Sequence, residues 1–237
     1  MSIIAFVFAR GGSKGLSRKN LLPLGGKPLI VHSIDIARSL SRIEKVVVST
    51  DDPEIADVAR RAGAVVPFLR PKELATDTAP EWLSWQHAIR SLRDGGERVD
   101  VFLSLPPTAP LRIAADVECC LDAFLATSAD MVITVREAER NPYFNMVRRD
   151  GDGSVRLAIE GSFHRRQDAP VLYDMTTVAF VGRAEFILGA QRIFDGVVRA
   201  VLIPPQRALD IDSELDLRIG SALIGQDRSA GGEARLL

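Results

Sequence analysis

Residues 10–20, Arg-Gly-Gly-Ser-Lys-Gly-Leu-Ser-Arg-Lys-Asn, place three glycines and four cations in eleven positions. Glycine lets a backbone approach a phosphate closely, exposed amides donate to its oxygens, and Arg10, Lys14, Arg18 and Lys19 would neutralise the bound charge. The first acid in the chain is Asp35, so nothing ahead of it opposes an anion. The spacing fits neither the Walker A pattern nor the dinucleotide fingerprint G-x-G-x-x-G, and the plainer reading is a solvated basic loop. A second group lies near the other end of the chain, at Asp210-Ile211-Asp212. Alternate residues of an extended segment point the same way, so both carboxylates could face one hard cation such as Mg²⁺ bridging phosphate oxygens. Taken alone, the stretch is equally a helix cap. The loop and the acid pair together suggest nucleoside triphosphate chemistry at one sheet edge.

Something must bring residues 10–20 and 210–212 to one place. Short apolar or β-branched runs at residues 3–8, 45–49, 99–105 and 131–135 read as strands buried on both faces. Amphipathic segments at 28–40, 53–62 and 113–127 separate them, the first two opening with Pro at a plausible first helical position. This βαβα order predicts a Rossmann-like, three-layer α/β sandwich on a mostly parallel sheet, with its ligand site at the strands' C-terminal ends. The glycine loop follows the first strand and falls at that edge. Residues 137–170, rich in Arg, Asp, Gly and Asn, break the alternation and read as an inserted β-rich arm with an Asp-Gly hairpin at 150–153. Strand runs resume at 172–181 and 197–203. A helix over 213–224 follows, with Ser213 as N-cap and Asp216 in the capping-box position. Residues 225–237 are expected to form a mobile tail, and no linker divides residues 1–237 into two domains.

Composition removes several classes. The 237 residues carry 30 Lys and Arg against 31 Asp and Glu, a net charge of -1, which excludes a generally basic nucleic-acid binder. No apolar run reaches the roughly 18 residues of a membrane span, and no basic n-region precedes the apolar residues 3–8. Glycines and prolines between 11 and 28 preclude an amphipathic transit helix. Cys119 and Cys120 are adjacent, which gives no disulfide framework and fits a reducing cytoplasm. Trp82 and Trp85 read as packing, His32 and His87 as structural, and Asp51 and Asp52 as helix cap or site residues. His164 reads as solvated or as a contact to an anionic sugar.

The loop 9–20, the segment Ser49-Thr50-Asp51-Asp52, the runs 67–71 and 75–78, Pro107-Thr108-Ala109-Pro110-Leu111-Arg112, residues 165–168 and Asp210-Ile211-Asp212 occur in the same order as in the acylneuraminate cytidylyltransferases, also called CMP-sialic acid synthetases. Over about residues 3–224 the chain resembles that family. The resemblance implies a Rossmann-like enzyme that joins CTP to a 2-keto-3-deoxy sugar acid and releases pyrophosphate. Arg10, Gly11, Gly12, Ser13 and Lys19 would hold the triphosphate, Asn20 and Arg70 the cytidine, and Asp210 and Asp212 a Mg²⁺ ion. The arm would reach across a homodimer, bringing Arg165 or Arg166 to the sugar or phosphate of the neighbouring subunit. Thr176 and Thr177, which follow Tyr173 where the family commonly has Asn-Gly-Ala, would stand at the sugar.

The departures bear on the acceptor. Where the family commonly reads Gln-Pro-Thr-Ser-Pro-Leu-Arg, this chain begins with Pro106, and Thr78-Ala79-Pro80-Glu81-Trp82 stands where small hydroxyl residues are usual. A site built for one hydroxyl or acetamido group rejects analogues strongly, so N-acetylneuraminate is not the expected acceptor. The competing readings are a nucleotide-sugar glycosyltransferase, which shares the α/β fold and a D-x-D metal pair but commonly carries it mid-chain, and a non-catalytic nucleotide-binding protein.

Overall fold

A computed structural model describes residues 1–12, 15–161, 163, 165–226 and 232–237. In chain order the elements are β1 (Ile3–Phe8), the ribbon β2 (Pro23–Leu24) and β3 (Lys27–Pro28), α1 (Leu29–Ser39), β4 (Lys45–Ser49), α2 (Pro53–Arg61), α3 (Glu81–Asp94), β5 (Val101–Ser104), α4 (Ala114–Ala126) and β6 (Met131–Glu137). The hairpin β7 (Val147–Arg149) and β8 (Val155–Leu157) follows, then β9 (Tyr173–Arg183), α5 (Ala184–Gly189), β10 (Val198–Leu202), α6 (Glu214–Leu223) and β11 (Arg235–Leu236). Seven strands form one sheet in the order β11-β10-β6-β9-β5-β1-β4. Strands β4, β1, β5, β6 and β10 share a direction, while β9 and β11 run against them.

Both faces of this sheet are covered, which is why its strands read as unbroken apolar runs. On β1, Ala5 and Val7 pack with Ile30 and Ile34 of α1, Ile55 of α2 and Leu121 of α4. Their neighbours Ile4 and Phe6 point the other way, onto Trp85 and Ile89 of α3 and Ile187 of α5. Trp82 and Trp85 belong to this second layer. Trp85 lies 5.0 Å, ring centre to ring centre, from Phe102, and Trp82 Nε1 donates to the Ala190 carbonyl at 2.9 Å.

The arm departs from the sheet at the edge where the parallel strands end. Glu137, the last residue of β6, pairs with Tyr173, the first of β9, so residues 138–172 are a long excursion between two antiparallel neighbours. Within it β7 and β8 pair across a turn in which Gly153 takes φ +91° and donates to the Asp150 carbonyl. Within the segment expected to be a mobile tail, the described residues include a short strand, β11. Arg235–Leu236 add an antiparallel edge strand to β10, and the Gly232 carbonyl accepts from Arg207 Nη2 at 3.0 Å. Arg207 itself is buried against Asp116 of α4, at 2.9 Å.

Candidate active site

A cleft of about 500 Å³ opens at the C-terminal ends of β1, β4 and β5. Its wall takes Arg10, Gly15, Lys19 and Asn20 from the loop after β1, Arg70, Thr76, Asp77 and Ala79 from the segment between α2 and α3, Glu81 and Ser84 from the first turn of α3, Pro106 to Thr108 after β5, Thr177 from β9, and Asp210 and Asp212 before α6. The cations and carboxylates that the sequence sets about 200 positions apart therefore face one space.

The loop is held from behind by the acids after β4. Gly11 N donates to Asp51 Oδ1 at 3.1 Å, while Asp52 caps α2 by accepting from Glu54 N and Ile55 N. A Cβ at Gly11 would lie 2.6 Å from Asp52 Oδ2, and one at Gly15 would overlap the Asp212 carbonyl, so glycine is required at both close approaches. Arg18, at φ +53°, turns its guanidinium away to Asp52 and Glu54. Asn20 is buried and its Nδ2 donates to the Arg10 carbonyl at 3.1 Å, fixing where Arg10 leaves the loop.

The charges within the cleft are mostly paired. Arg10 meets Asp77 at 2.6 Å, and Lys19 Nζ meets Asp212 Oδ1 at 2.6 Å. Among the described residues, two groups are not satisfied. Arg70 is 7% exposed, bonds Ser84 Oγ through Nη1 at 3.4 Å and approaches Asp51 only to 3.8 Å, and among the described residues its Nε and Nη2 have no hydrogen-bond partner. Burial lowers its pKa, with Asp51 opposing. Asp210 Oδ1 is likewise buried without a partner. Burial pushes that carboxyl up and the neighbouring Asp212 adds to the effect, while the Thr108 and Thr177 hydroxyls and Lys19 pull it down. A buried unpaired donor or acceptor costs free energy, more when charged. A cleft that holds both kinds is shaped for a ligand offering acceptors to Arg70 and a cation or donor to Asp210.

A family model described as cytidylyltransferase matches residues 4–80. Over 223 residues, 94% of each chain, the sequence is 34% identical to post-translational flagellin modification protein B of Campylobacter coli. It is equally 34% identical, again over 94% of each chain, to CMP-N,N'-diacetyllegionaminic acid synthase of Campylobacter jejuni. The chain belongs to the acylneuraminate cytidylyltransferase family. The same fold occurs in CMP:2-keto-3-deoxy-manno-octonic acid synthetase complexed with CTP, with a TM-score of 0.70, 16% identity and 95% of this chain and 99% of that one covered.

For a cytidylyltransferase the residues expected at the site divide clearly. Arg10, Lys19, Asn20, Arg70, Asp210, Asp212 and Thr177 line the cleft. Gly11 does not line it, having given its amide to Asp51; Gly12 faces open space, and Gly15 is the loop glycine at the wall. Thr176 does not line the cleft: its hydroxyl donates to Thr134 Oγ1 at 2.8 Å inside the sheet. Arg165 grips Asp168 on the arm at 2.8 and 2.9 Å and is not part of the cleft wall; Arg166 opens the short turn Arg166–Asp168. Ser13 and His164 lie outside the described residues. The wall also contains Asp77, Glu81, Ser84 and Thr108, to which composition and spacing assigned no role. Of these, Asp77 and Thr108 stood inside segments shared with the family and Glu81 inside a stretch that departs from it, whereas Ser84 carried no signal of its own.

Proposed function

We propose that this cytidylyltransferase couples CTP to a 2-keto-3-deoxy sugar acid of the nonulosonic type, giving the CMP-sugar and pyrophosphate. The observation that carries the reading is the convergence in one cleft of Lys19, the unsatisfied Arg70 donors and the unsatisfied Asp210 acceptor. Arg70, with two free donors, would bind the nucleotide, and Arg10 and Lys19 would neutralise the triphosphate. The reaction is in-line attack of the sugar's anomeric hydroxyl on the α-phosphorus with pyrophosphate leaving, so positioning and charge neutralisation supply most of the catalysis. The relative named for legionaminic acid supports the nonulosonic class of acceptor.

The residues present suit Mg²⁺. Among the described residues no group of three or more metal-ligating side chains occurs, but Mg²⁺ commonly takes one or two carboxylates and completes its shell with substrate phosphates and water. The buried, unpartnered Asp210 Oδ1 and the neighbouring Asp212 would hold it. Bound there, the ion would offset charge building on the phosphate oxygens. The hairpin of the arm sets Val147 and Val155 on one face, each 61% exposed, which supports a homodimer formed through the arm; light scattering of the intact protein tests it. No described helix is long and apolar enough to cross a membrane, and together with the two free cysteines this supports a cytoplasmic enzyme. Pyrophosphate release from CTP, measured with Mg²⁺ against a panel of 2-keto-3-deoxy acids, tests the function. Turnover with any of them upholds it, and none with the whole panel overturns it.

A further inference from the structure

Thr177 reaches the cleft because β9 is irregular there. Ile133 pairs with Phe180 but the next residue, Thr134, pairs with Thr176, so Thr177, Val178 and Ala179 bulge from the ladder. Bulges of this kind re-aim side chains beside active sites, but an unpaired stretch of backbone needs its polar groups satisfied elsewhere. Two residues do this. From within the sheet, the buried Thr134 hydroxyl accepts from Ala179 N at 3.2 Å and from Thr176 Oγ1 at 2.8 Å, and lies 3.2 Å from the Thr176 and Ala179 carbonyls, either of which can take its single proton. From beneath, Arg112 donates through Nη2 to the Thr177 carbonyl at 3.2 Å and also to the Pro106 carbonyl, and through Nη1 to Ser33 Oγ at 2.6 Å.

Arg112 has no exposed surface. Burial pulls its pKa down to about 9, with Asp116 and Asp210 opposing, so it remains cationic at neutral pH. A fully buried guanidinium is costly, and a fold retains one where its planar fork joins several acceptors at fixed angles. Here the fork joins the loop after β5, α1 and the β9 bulge. What stands above it is the cleft wall: Thr108 Oγ1 donates to Thr177 Oγ1 at 3.3 Å, the Thr108 carbonyl accepts from Ile211 N at 2.8 Å beside Asp210, and the two hydroxyls pull the Asp210 pKa down.

We propose that Arg112 and Thr134 are positioning residues for the nucleotidyl transfer, which hold the β9 bulge so that Thr177, and through it Asp210, stands in the reactive arrangement. Neither touches the cleft itself. The inference rests on the cytidylyltransferase reading. Turnover by the unaltered enzyme tests that reading, and the variants below test this one.

Arg112→Lys keeps the charge but not the fork, and cannot bridge the Thr177 and Pro106 carbonyls and Ser33 together. Because Lys19 and Arg70 do not depend on Arg112, we expect kcat per folded enzyme to fall at least about tenfold. The dissociation constant of CTP, titrated without metal, should stay within about threefold. Thr134→Val, nearly isosteric, serves if Arg112→Lys does not fold, and should show the same split. The double variant Arg112→Lys, Thr177→Val should be little worse than Arg112→Lys alone, since coupled residues lose their effect once. A merely structural role would lower the melting temperature while leaving kcat per folded enzyme unchanged. That outcome overturns the proposal, as do equal losses in kcat and CTP binding, or additive losses in the double variant.

Discussion

Lys19 Nζ donates to Asp212 Oδ1 at 2.6 Å, across 193 residues of sequence. The lysine side chain is 14% exposed and the aspartate 70%, so the cation is enclosed while its partner stays open to solvent. A triphosphate entering the cleft would compete for Lys19 and leave the carboxylate to a metal ion.

Lys19→Ala removes one charge-assisted bond to phosphate, worth about 1.5–3 kcal/mol. The expected result is a fall in kcat/KM for CTP of at least about tenfold, with the preference for CTP over other nucleotides unchanged. Steady-state kinetics with CTP and UTP check this. A CTP value within twofold of the unaltered enzyme would show Lys19 to be solvated surface only.

Asp212→Asn is expected to remove most turnover and to leave the melting temperature within a few degrees, because its side chain is mostly exposed. Loss of one anionic ligand weakens a hard-cation site, so part of the activity should return as Mg²⁺ is raised. Full activity at limiting Mg²⁺ would remove Asp212 from the metal site.

Asp210 links the cleft to stability. Its carboxyl is pushed up, chiefly by burial, so the folded protein disfavours the ionised form. For an acid with a raised pKa the favourable contribution is complete below the unfolded value, about 3.9, and is lost as pH rises through the folded value. Without Mg²⁺ and CTP, Asp210→Asn should therefore melt higher than the unaltered protein at pH 8, and the gap should narrow towards pH 4. Calorimetry at the two pH values decides it; no gap at pH 8 means that the ionised carboxylate is not a burden on the fold.

The sequence disclosed what periodicity and residue type control. The buried parallel strands, the position of the glycine loop at a strand end, the Asp-Gly hairpin and the Ser213 cap all follow from local rules, and each is present. It did not disclose which of two neighbouring residues faces the cleft. Thr176 and Thr177 are chemically alike, and only the long-range bulge opposite Thr134 turns the second inward. Asp51 and Asp52 divide in the same way, one holding Gly11 and the other capping α2. The edge strand β11 was hidden because its two residues pair with β10, about 35 positions earlier, and carry no pattern of their own.

The acceptor is the last matter the cleft bears on. Pro106 lines the wall where the family pattern has Gln, and it offers a ligand no polar atom. Its side chain has none, its nitrogen carries no hydrogen, and its carbonyl already accepts from Arg112 Nη2 and Ser33 Oγ. The sugar group that meets Pro106 must then be apolar, absent or bonded by another residue. Thr177 stands at the same wall, and its hydroxyl, which already accepts from Thr108 Oγ1 at 3.3 Å, keeps one acceptor lone pair for a sugar hydroxyl. A polar group left unpaired on burial costs about 1–3 kcal/mol, which is tenfold or more in preference between related acids. N-acetylneuraminate should therefore show a lower kcat/KM than a legionaminic-type or another amino-modified nonulosonic acid. Competition between the acids for limiting enzyme, with the CMP-sugars resolved chromatographically, gives the ratio directly. If N-acetylneuraminate gave the highest value, Pro106 would not be a specificity determinant, while the cytidylyltransferase chemistry would stand.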